Sequence, residues 1–520
     1  MFKGLMPAAA ALGLCMGVMT IPGAFPAQAQ KAQDTVRMAI IDPFSVLDEY
    51  HHAMDESGAF DRIVYQPLIT YDEYKKQWVN ILTTGFRRID TKTLEFDLRT
   101  DVKFHNGNQF NADDVKTTLD YLIDPKVNIR FKERYTWVER VEVLGSHKLR
   151  IHSKSPFSTD MGILGYRMRI RDGRVINELK KTNSVPDYGK TAVGTGSYRV
   201  ASIGRNEGLV MEAVANHWDK SGYYPQPVKT VRGVFIPDRQ TQAAQLITGN
   251  LDVMRNITAD DAKNFASNPN LAVTPTSSSM LLYVTLDALG RSKNKAFQDE
   301  RVRKAFIMAI DRKLLQKEII AGGNIAKLPD TICWASMIAC EPGKTSPYDY
   351  NPAEAKRLLA EAGYPNGLDL SMDVHEPVKN IGEAIAGELR KVGIRTSIDA
   401  LPSALYLRKR GDGEFTAFTG FYPAGTHPDA QVMFTFFFDA NRDYWQDPFI
   451  KKVAAEGELE FDDAKRAALY APALRSVNEK AYILPVSELP IVWAHNKDIV
   501  VNKNPLSVAV PILGDYGWKK

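Results

Sequence analysis

The densest group of side chains able to do chemistry is Asp48, Glu49, His51, His52, Asp55 and Glu56. Carboxylates beside imidazoles suggest a metal site, since imidazole suits borderline ions such as nickel. The spacing argues otherwise. Adjacent histidines point to different sides of a helix or strand, and no recognised ligand spacing is present. Hydrogen bonding is the expected role, with no metal and no cofactor. Catalytic signatures are missing too: neither G-x-S-x-G nor H-E-x-x-H occurs. A secreted hydrolase using two of the 62 Asp and Glu residues is the contrasting reading, but nothing in the chain marks such a pair. A binding protein, not an enzyme, is the expectation.

Gly194-Thr195-Gly196-Ser197-Tyr198 is no phosphate cradle, because it lacks the Lys-Ser/Thr of a P-loop and any further glycine of a dinucleotide fingerprint. Its glycines are expected to serve turns that need positive φ. Cys333 and Cys340 close a short loop without the C-x-x-C spacing of a redox pair. In an oxidising compartment a disulfide is expected there rather than a metal pair.

These groups sit in a chain of 520 residues, too long for one hydrophobic core, so two or three domains are expected. A hydrophobic content of 44% and a charged content of 25% are ordinary for a soluble protein. The net charge of +4 is spread without long basic runs, which argues against nucleic acid or an anionic membrane as partner. Residues 1–29 differ from the rest: Lys3, an apolar run from Leu5 to Ile21, then Ala27-Gln28-Ala29. This is the pattern of a secretory signal peptide removed before folding. Cys15 within it follows bulky Leu14, a poor match to the small residue that lipid anchoring needs. No later apolar run is long enough to span a bilayer.

Beyond the leader, strand and helix patterns alternate. Val36 to Ile41 is an apolar strand candidate, and Leu94-Glu95-Phe96-Asp97-Leu98-Arg99 has the period of a half-buried strand. Phe104-His105-Asn106-Gly107 supplies a turn, after which Asn111 can cap a helix with Asp113 and Asp114 in its first turn. Asn351-Pro352-Ala353-Glu354 opens another helix that stops at Gly363. A strand from Leu368, a helix carrying Ile381, Ile385, Leu389 and Val392, and a strand from Ile394 predict a right-handed crossover. The fold class is α/β, mixed α+β, in more than one domain.

The block from Phe60 to Leu122 resembles the signature of the periplasmic solute-binding proteins for peptides, opines and nickel. The resemblance continues through Gly194–Tyr198, Asn216-His217-Trp218, Ala243–Asp252, Phe297–Asp311 and Asn351–Gly367, from about Val36 to Asp498. It implies a type II periplasmic-binding-protein-like fold, two lobes around a hinge with an extra third domain. By matching segments, domain I covers 30–66, 191–283 and 496–520, domain II 67–190 and domain III 284–495. The implied product is the periplasmic receptor of an ABC importer, a monomer that hands a small solute to permease and ATPase subunits. A true di- or oligopeptide-binding protein is the alternative.

Peptide-binding relatives carry W-x-A-D-Y, whose Asp pairs with the peptide amine. Here Tyr422 stands for the Trp and Gly425 for the Asp. Losing a charge-assisted bond worth roughly 1.5–3 kcal/mol implies a ligand other than an ordinary peptide. The implied ligand-binding residues are Tyr422, Pro423, Ala424, Gly425 and His427, with Trp334 beside Cys333, Tyr135 and Trp137 from domain II, and His51. Arg169 joins them, because Tyr166 to Arg171 alternates in strand fashion and puts Arg167, Arg169 and Arg171 on one side. Facing the cleft they would favour an anion; facing solvent they would be a hydrated edge. Phe434, Phe436, Phe437 and Phe438, with Trp445 nearby, offer aromatic walls, although alternate members are expected to fill the core.

Overall fold

A computed structural model describes residues 31–41, 46–51, 57–205, 208–278, 280–334, 336–341, 347–422, 429–501 and 515–520. The leader 1–29 with Cys15 lies outside the described residues, as do His52, Asp55, Glu56, Pro423, Ala424, Gly425 and His427.

The alternating stretch forms strand Thr93–Leu98, with Leu94, Phe96 and Leu98 turned into the core. It belongs to an antiparallel sheet ordered Thr83–Asp90, Thr93–Leu98, Lys148–Ser153, Val138–Gly145. On the other face charges pair across the strands, Glu95 meeting Arg87, Lys148 and Arg150. Gly107 takes φ +89° in the turn that follows. Asn111 then accepts from Asp113 N at 2.9 Å, and Asp114 accepts from Asn111 N at 2.9 Å. This reciprocal cap of helix Ala112–Ile123 is worth about 1 kcal/mol.

Strand Thr35–Ile40 is buried throughout and lies central in a seven-stranded sheet. The order is Leu271–Thr276, Ile491–Asn496, Val253–Arg255, Thr35–Ile40, Thr230–Phe235, Gly208–Ala213, Tyr198–Gly204. This sheet and the four-stranded one share a continuous hydrophobic core that includes Met38, Phe60, Tyr65, Phe96 and Leu119. Together they make the first lobe.

The second lobe is built on a five-stranded sheet ordered Ile394–Leu401, Leu368–His375, Ala417–Tyr422, Leu281–Leu286, Ile483–Glu488. Its first three strands are parallel and the last two antiparallel to their neighbours. Asn351 accepts from Glu354 N at 3.0 Å to start helix Pro352–Glu361, and Gly363 ends it at φ +93°. The predicted crossover is present, with helix Lys379–Arg390 joining the two outer parallel strands. Separate hydrophobic clusters cover the sheet's two faces.

The chain passes between lobes at two adjacent places. Thr276 lies opposite Ile491 in the first lobe's sheet, and Leu281 opposite Glu488 in the second's. Between them Leu489 N donates to Met280 O at 3.0 Å and Ser278 Oγ donates to Leu489 O. Divisions at 283/284 and 495/496 would cut strands that each lie wholly in one sheet. The exchange falls instead just before Leu281 and just before Ile491.

The expectation for Gly194 and Gly196 needs correction. Neither takes positive φ; a Cβ there would stand 1.9 Å from Val64 O and 2.1 Å from Ile63 O respectively. Close passage of the Ile63–Val64 backbone, not turn geometry, excludes a side chain.

Candidate ligand-binding cleft

Aromatic side chains from both lobes meet in one buried cluster. Tyr71 and Tyr166 come from the first lobe, Trp334, Tyr422 and Phe437 from the second. Tyr71 lies on strand Ile69–Asp72, its ring 5.2 Å from Trp78. Tyr166 ends helix Asp160–Tyr166 and donates to Tyr71 O at 3.4 Å and Glu73 Oε1 at 3.3 Å. Across from them Trp334 meets Tyr422 edge-on at 6.4 Å, and Phe436 meets Tyr422 at 4.9 Å. The phenylalanine run forms helix Ala430–Phe438. Its members Phe434, Phe437 and Phe438 fill the core with Trp445.

Cys333 and Cys340 are bonded, S–S 2.04 Å. The closed loop holds Trp334 against Tyr422, and its Ile338 O accepts from Ala430 N at 2.9 Å. Asp429 beside Ala430 caps the helix, accepting from Gln431 N at 2.9 Å. Its other oxygen pairs with Arg466 at 2.8 Å. Burial pushes this carboxyl up and Arg466 opposes the shift. Both oxygens are thus committed within the protein.

The three arginines after Tyr166 differ from expectation. Residues 167–172 form no strand, and the arginines face neither cleft nor solvent. They enter an internal seam against residues 48–50, while Met168 and Ile170 fill the core. Arg171 pairs with Asp48 at 2.8 Å and Arg167 with Glu49 at 3.0 Å. Arg169 donates to Tyr166 O at 3.1 Å and Gly165 O at 3.4 Å. Burial alone would raise Asp48; Arg171 and His51 overcome it and bring it down to about 2. Burial and then the Glu49 carboxylate push the Asp61 carboxyl well above its usual range. His51 bonds Asp48 through Nδ1 at 2.8 Å and Tyr121 Oη through Nε2 at 2.9 Å. Both ring nitrogens are occupied in hydrogen bonds. Among the described residues no group of three or more His, Cys, Asp or Glu is placed to hold a metal.

Tyr135 belongs to the same seam. Its hydroxyl donates to Arg167 O at 2.9 Å and its ring meets Tyr50 edge-on at 6.0 Å. Trp137 instead stacks on Phe157 at 5.6 Å. Just upstream is a residue that sequence reasoning missed. Arg134 lies 3.9 Å over the Phe131 ring, which Arg130 approaches at 4.9 Å. Phe131 is 36% exposed and takes φ +59°, a left-handed conformation costly for a bulky side chain and concentrated at functional positions. Arg134 makes no ion pair or side-chain hydrogen bond with the described residues. Burial, then the Arg167 charge, carry its pKa down to about 10. Glu49 and Glu133 act on it only from a distance, and a half-buried cation without a direct ion pair is disfavoured. The Arg-Phe-x-x-Arg spacing ahead of Tyr135 was the available signal.

The profile of bacterial extracellular solute-binding proteins, family 5 (its middle region), matches residues 78–444. The chain belongs to that family. As a family 5 protein it is a solute-binding component of an ABC importer. The glutathione-binding protein GsiB of Salmonella choleraesuis (strain SC-B67) is 29% identical over 399 residues, 75% of this chain and 73% of that protein. NikA from Brucella suis in complex with Fe(III)-EDTA superposes with a TM-score of 0.80 at 22% identity, covering 93% of this chain and 100% of NikA. DppA from Helicobacter pylori in complex with the peptide STSA gives 0.75 at 20% identity, covering 94% and 98%. The fold is therefore the type II periplasmic-binding-protein architecture of this family. No helix among the described residues is long and apolar enough to cross a membrane.

Proposed function

We propose that this family 5 protein is exported by removal of residues 1–29 and captures a small carboxylate-bearing solute between its lobes. It works outside the cytoplasm as a monomer, makes and breaks no covalent bond, and delivers the solute to its permease and ATPase. Domain I is then 30–66, 191–280 and 491–520, domain II 67–190 and domain III 281–490. Ligand contacts come from Tyr422, Trp334 and the segment after Tyr422 on one side, and from the Phe131–Arg134 platform on the other.

The observation that carries the anionic assignment is Arg134, half-buried on the Phe131 ring with no carboxylate partner among the described residues. The ligands named for the relatives, glutathione, the peptide STSA and Fe(III)-EDTA, all carry carboxylates, which supports the same reading. Asp429 is buried and held by Arg466 and by its helix, so it is not turned out as an anchor for a peptide amine. That supports a solute other than an ordinary peptide.

Native mass spectrometry of the purified protein should reveal a co-purified acid. Calorimetry with glutathione, Fe(III)-EDTA and a di- and tripeptide library then ranks the classes. Replacing Arg134 with Gln should weaken the best binder by roughly ten- to a hundredfold, the worth of one charge-assisted bond. Equal affinity in the variant would refute the anion site, and micromolar binding across the peptide library would favour the peptide receptor.

A further inference from the structure

A polar contact joins the lobes beside the aromatic cluster. Ser158, just ahead of helix Asp160–Tyr166, donates its N–H to Glu458 O at 2.9 Å and its hydroxyl to Gly457 O at 3.1 Å. Both acceptors lie in the last turn of helix Pro448–Leu459 of the second lobe. The final carbonyls of a helix are incompletely satisfied within it; Gly457 O has only a long bond from Glu460 N at 3.4 Å, so a residue of one lobe caps a helix of the other. Gly457 permits the approach of that helix to its neighbour, because a Cβ there would stand 2.2 Å from the Tyr470 ring.

Two further links flank Ser158. Arg466 reaches its Oγ at 3.4 Å while pairing with Asp429 at 2.8 Å and Asp463 at 2.7 Å. Arg88 of the first lobe pairs with Asp160 at 2.7 Å and lays its guanidinium 4.3 Å over the ring of Phe461 in the second. The hydroxyl of Ser158 thus accepts from Arg466 and donates to Gly457 O. The same Arg466 fixes the carboxylate that starts helix Ala430–Phe438, directly after the segment that follows Tyr422.

We propose that Ser158, with Arg88 on Phe461 beside it, is the positioning element that holds the two lobes shut. These bonds form only when the lobes are together, and none of them involves solute. They bias the protein toward the closed form before any cargo binds. Through Arg466 they also connect closure to the cleft side of the second lobe. Ser158 touches no solute in this assignment; it acts through the lobe positions.

The test measures distances between spin labels at Leu144→Cys and Leu407→Cys, exposed positions on opposite lobes, in the full mature protein stripped of solute. The unmodified contact should give a short-distance population. Combining Ser158→Ala with Phe461→Ala should shift the closed-to-open ratio roughly tenfold toward open, the combined weight of a hydrogen bond and a cation–π contact. The thermal midpoint should stay put, which separates lobe positioning from a stability effect. Arg88→Lys keeps a charge on Asp160 but loses the stacking plane, and should move the ratio in the same direction if the double variant folds poorly. Distances unchanged in both variants, or a parent protein with no closed population, would overturn the proposal. No solute enters the experiment, so its result stands apart from the identity of the cargo.

Discussion

Arg171 donates to Asp48 at 2.8 Å, and both side chains are buried. Folding lowers the Asp48 pKa from 3.8 to about 2. A carboxyl depressed on folding contributes stability above its unfolded pKa and loses it as pH falls through the folded one. About 2 kcal/mol should therefore vanish between pH 4 and pH 2. Asp48→Asn should cost about 3–5 kcal/mol at pH 7, because it leaves Arg171 charged and buried without its partner. Urea unfolding from pH 7 down to pH 2 checks both points. A variant as stable as the parent at neutral pH would contradict the pairing.

His105 gives a second pH dependence of different origin. Its Nε2–H donates to Gly196 O at 2.9 Å and its Nδ1 accepts from Gly194 N at 3.3 Å, which requires the neutral ring. Burial lowers its pKa to about 4, so the unfolded chain takes up a proton before the folded one does. Stability is level above the unfolded value of 6.5 and falls as pH drops toward 4, by about 3 kcal/mol. His105→Gln should flatten that limb of the unfolding profile.

Glycine substitutions should divide by backbone contact. Gly194→Ala and Gly196→Ala push a methyl into the Val64 and Ile63 carbonyls and should each cost 3 kcal/mol or more, roughly the upper range for overpacking. Gly387→Ala, exposed in helix Lys379–Arg390 with open space at its Cβ, should instead gain about 0.5–1 kcal/mol. Thermal midpoints of the three variants provide the comparison.

Replacing both Cys333 and Cys340 with Ser should cost about 2–3 kcal/mol, the loop-closure value for a ring of this size. Reductant should lower the midpoint of the parent and leave that of the variant alone. Because the loop holds Trp334 against Tyr422, near-ultraviolet dichroism should change along with the midpoint.

Legibility in the sequence followed the distance over which each feature is determined. Asn111 and Asn351 cap helices through partners two or three residues away, and the strand–helix–strand unit from Leu368 shows in its changing period. Arg167 and Arg171 find Glu49 and Asp48 more than a hundred residues back, which local alternation cannot reveal. At Gly194 the need for a glycine is legible but its cause is not, since a left-handed turn and a close backbone passage select the same residue. At the cleft, aromatic Tyr422 and Trp334 were readable as candidates by position. Arg134 shows in the sequence only through its Arg-Phe-x-x-Arg spacing, because its distinguishing property is the lack of an ion pair among the described residues.

The paired crossings at Met280 and Leu489 constrain how the halves of the molecule can move. The two crossings lie side by side and are tied to each other between the sheets. Neither crossing can slide past the other without breaking those two bonds, so shear between the lobes is stiffer than flexure across the pair. For the proposed capture of a solute between the lobes, this leaves one soft variable, the opening angle.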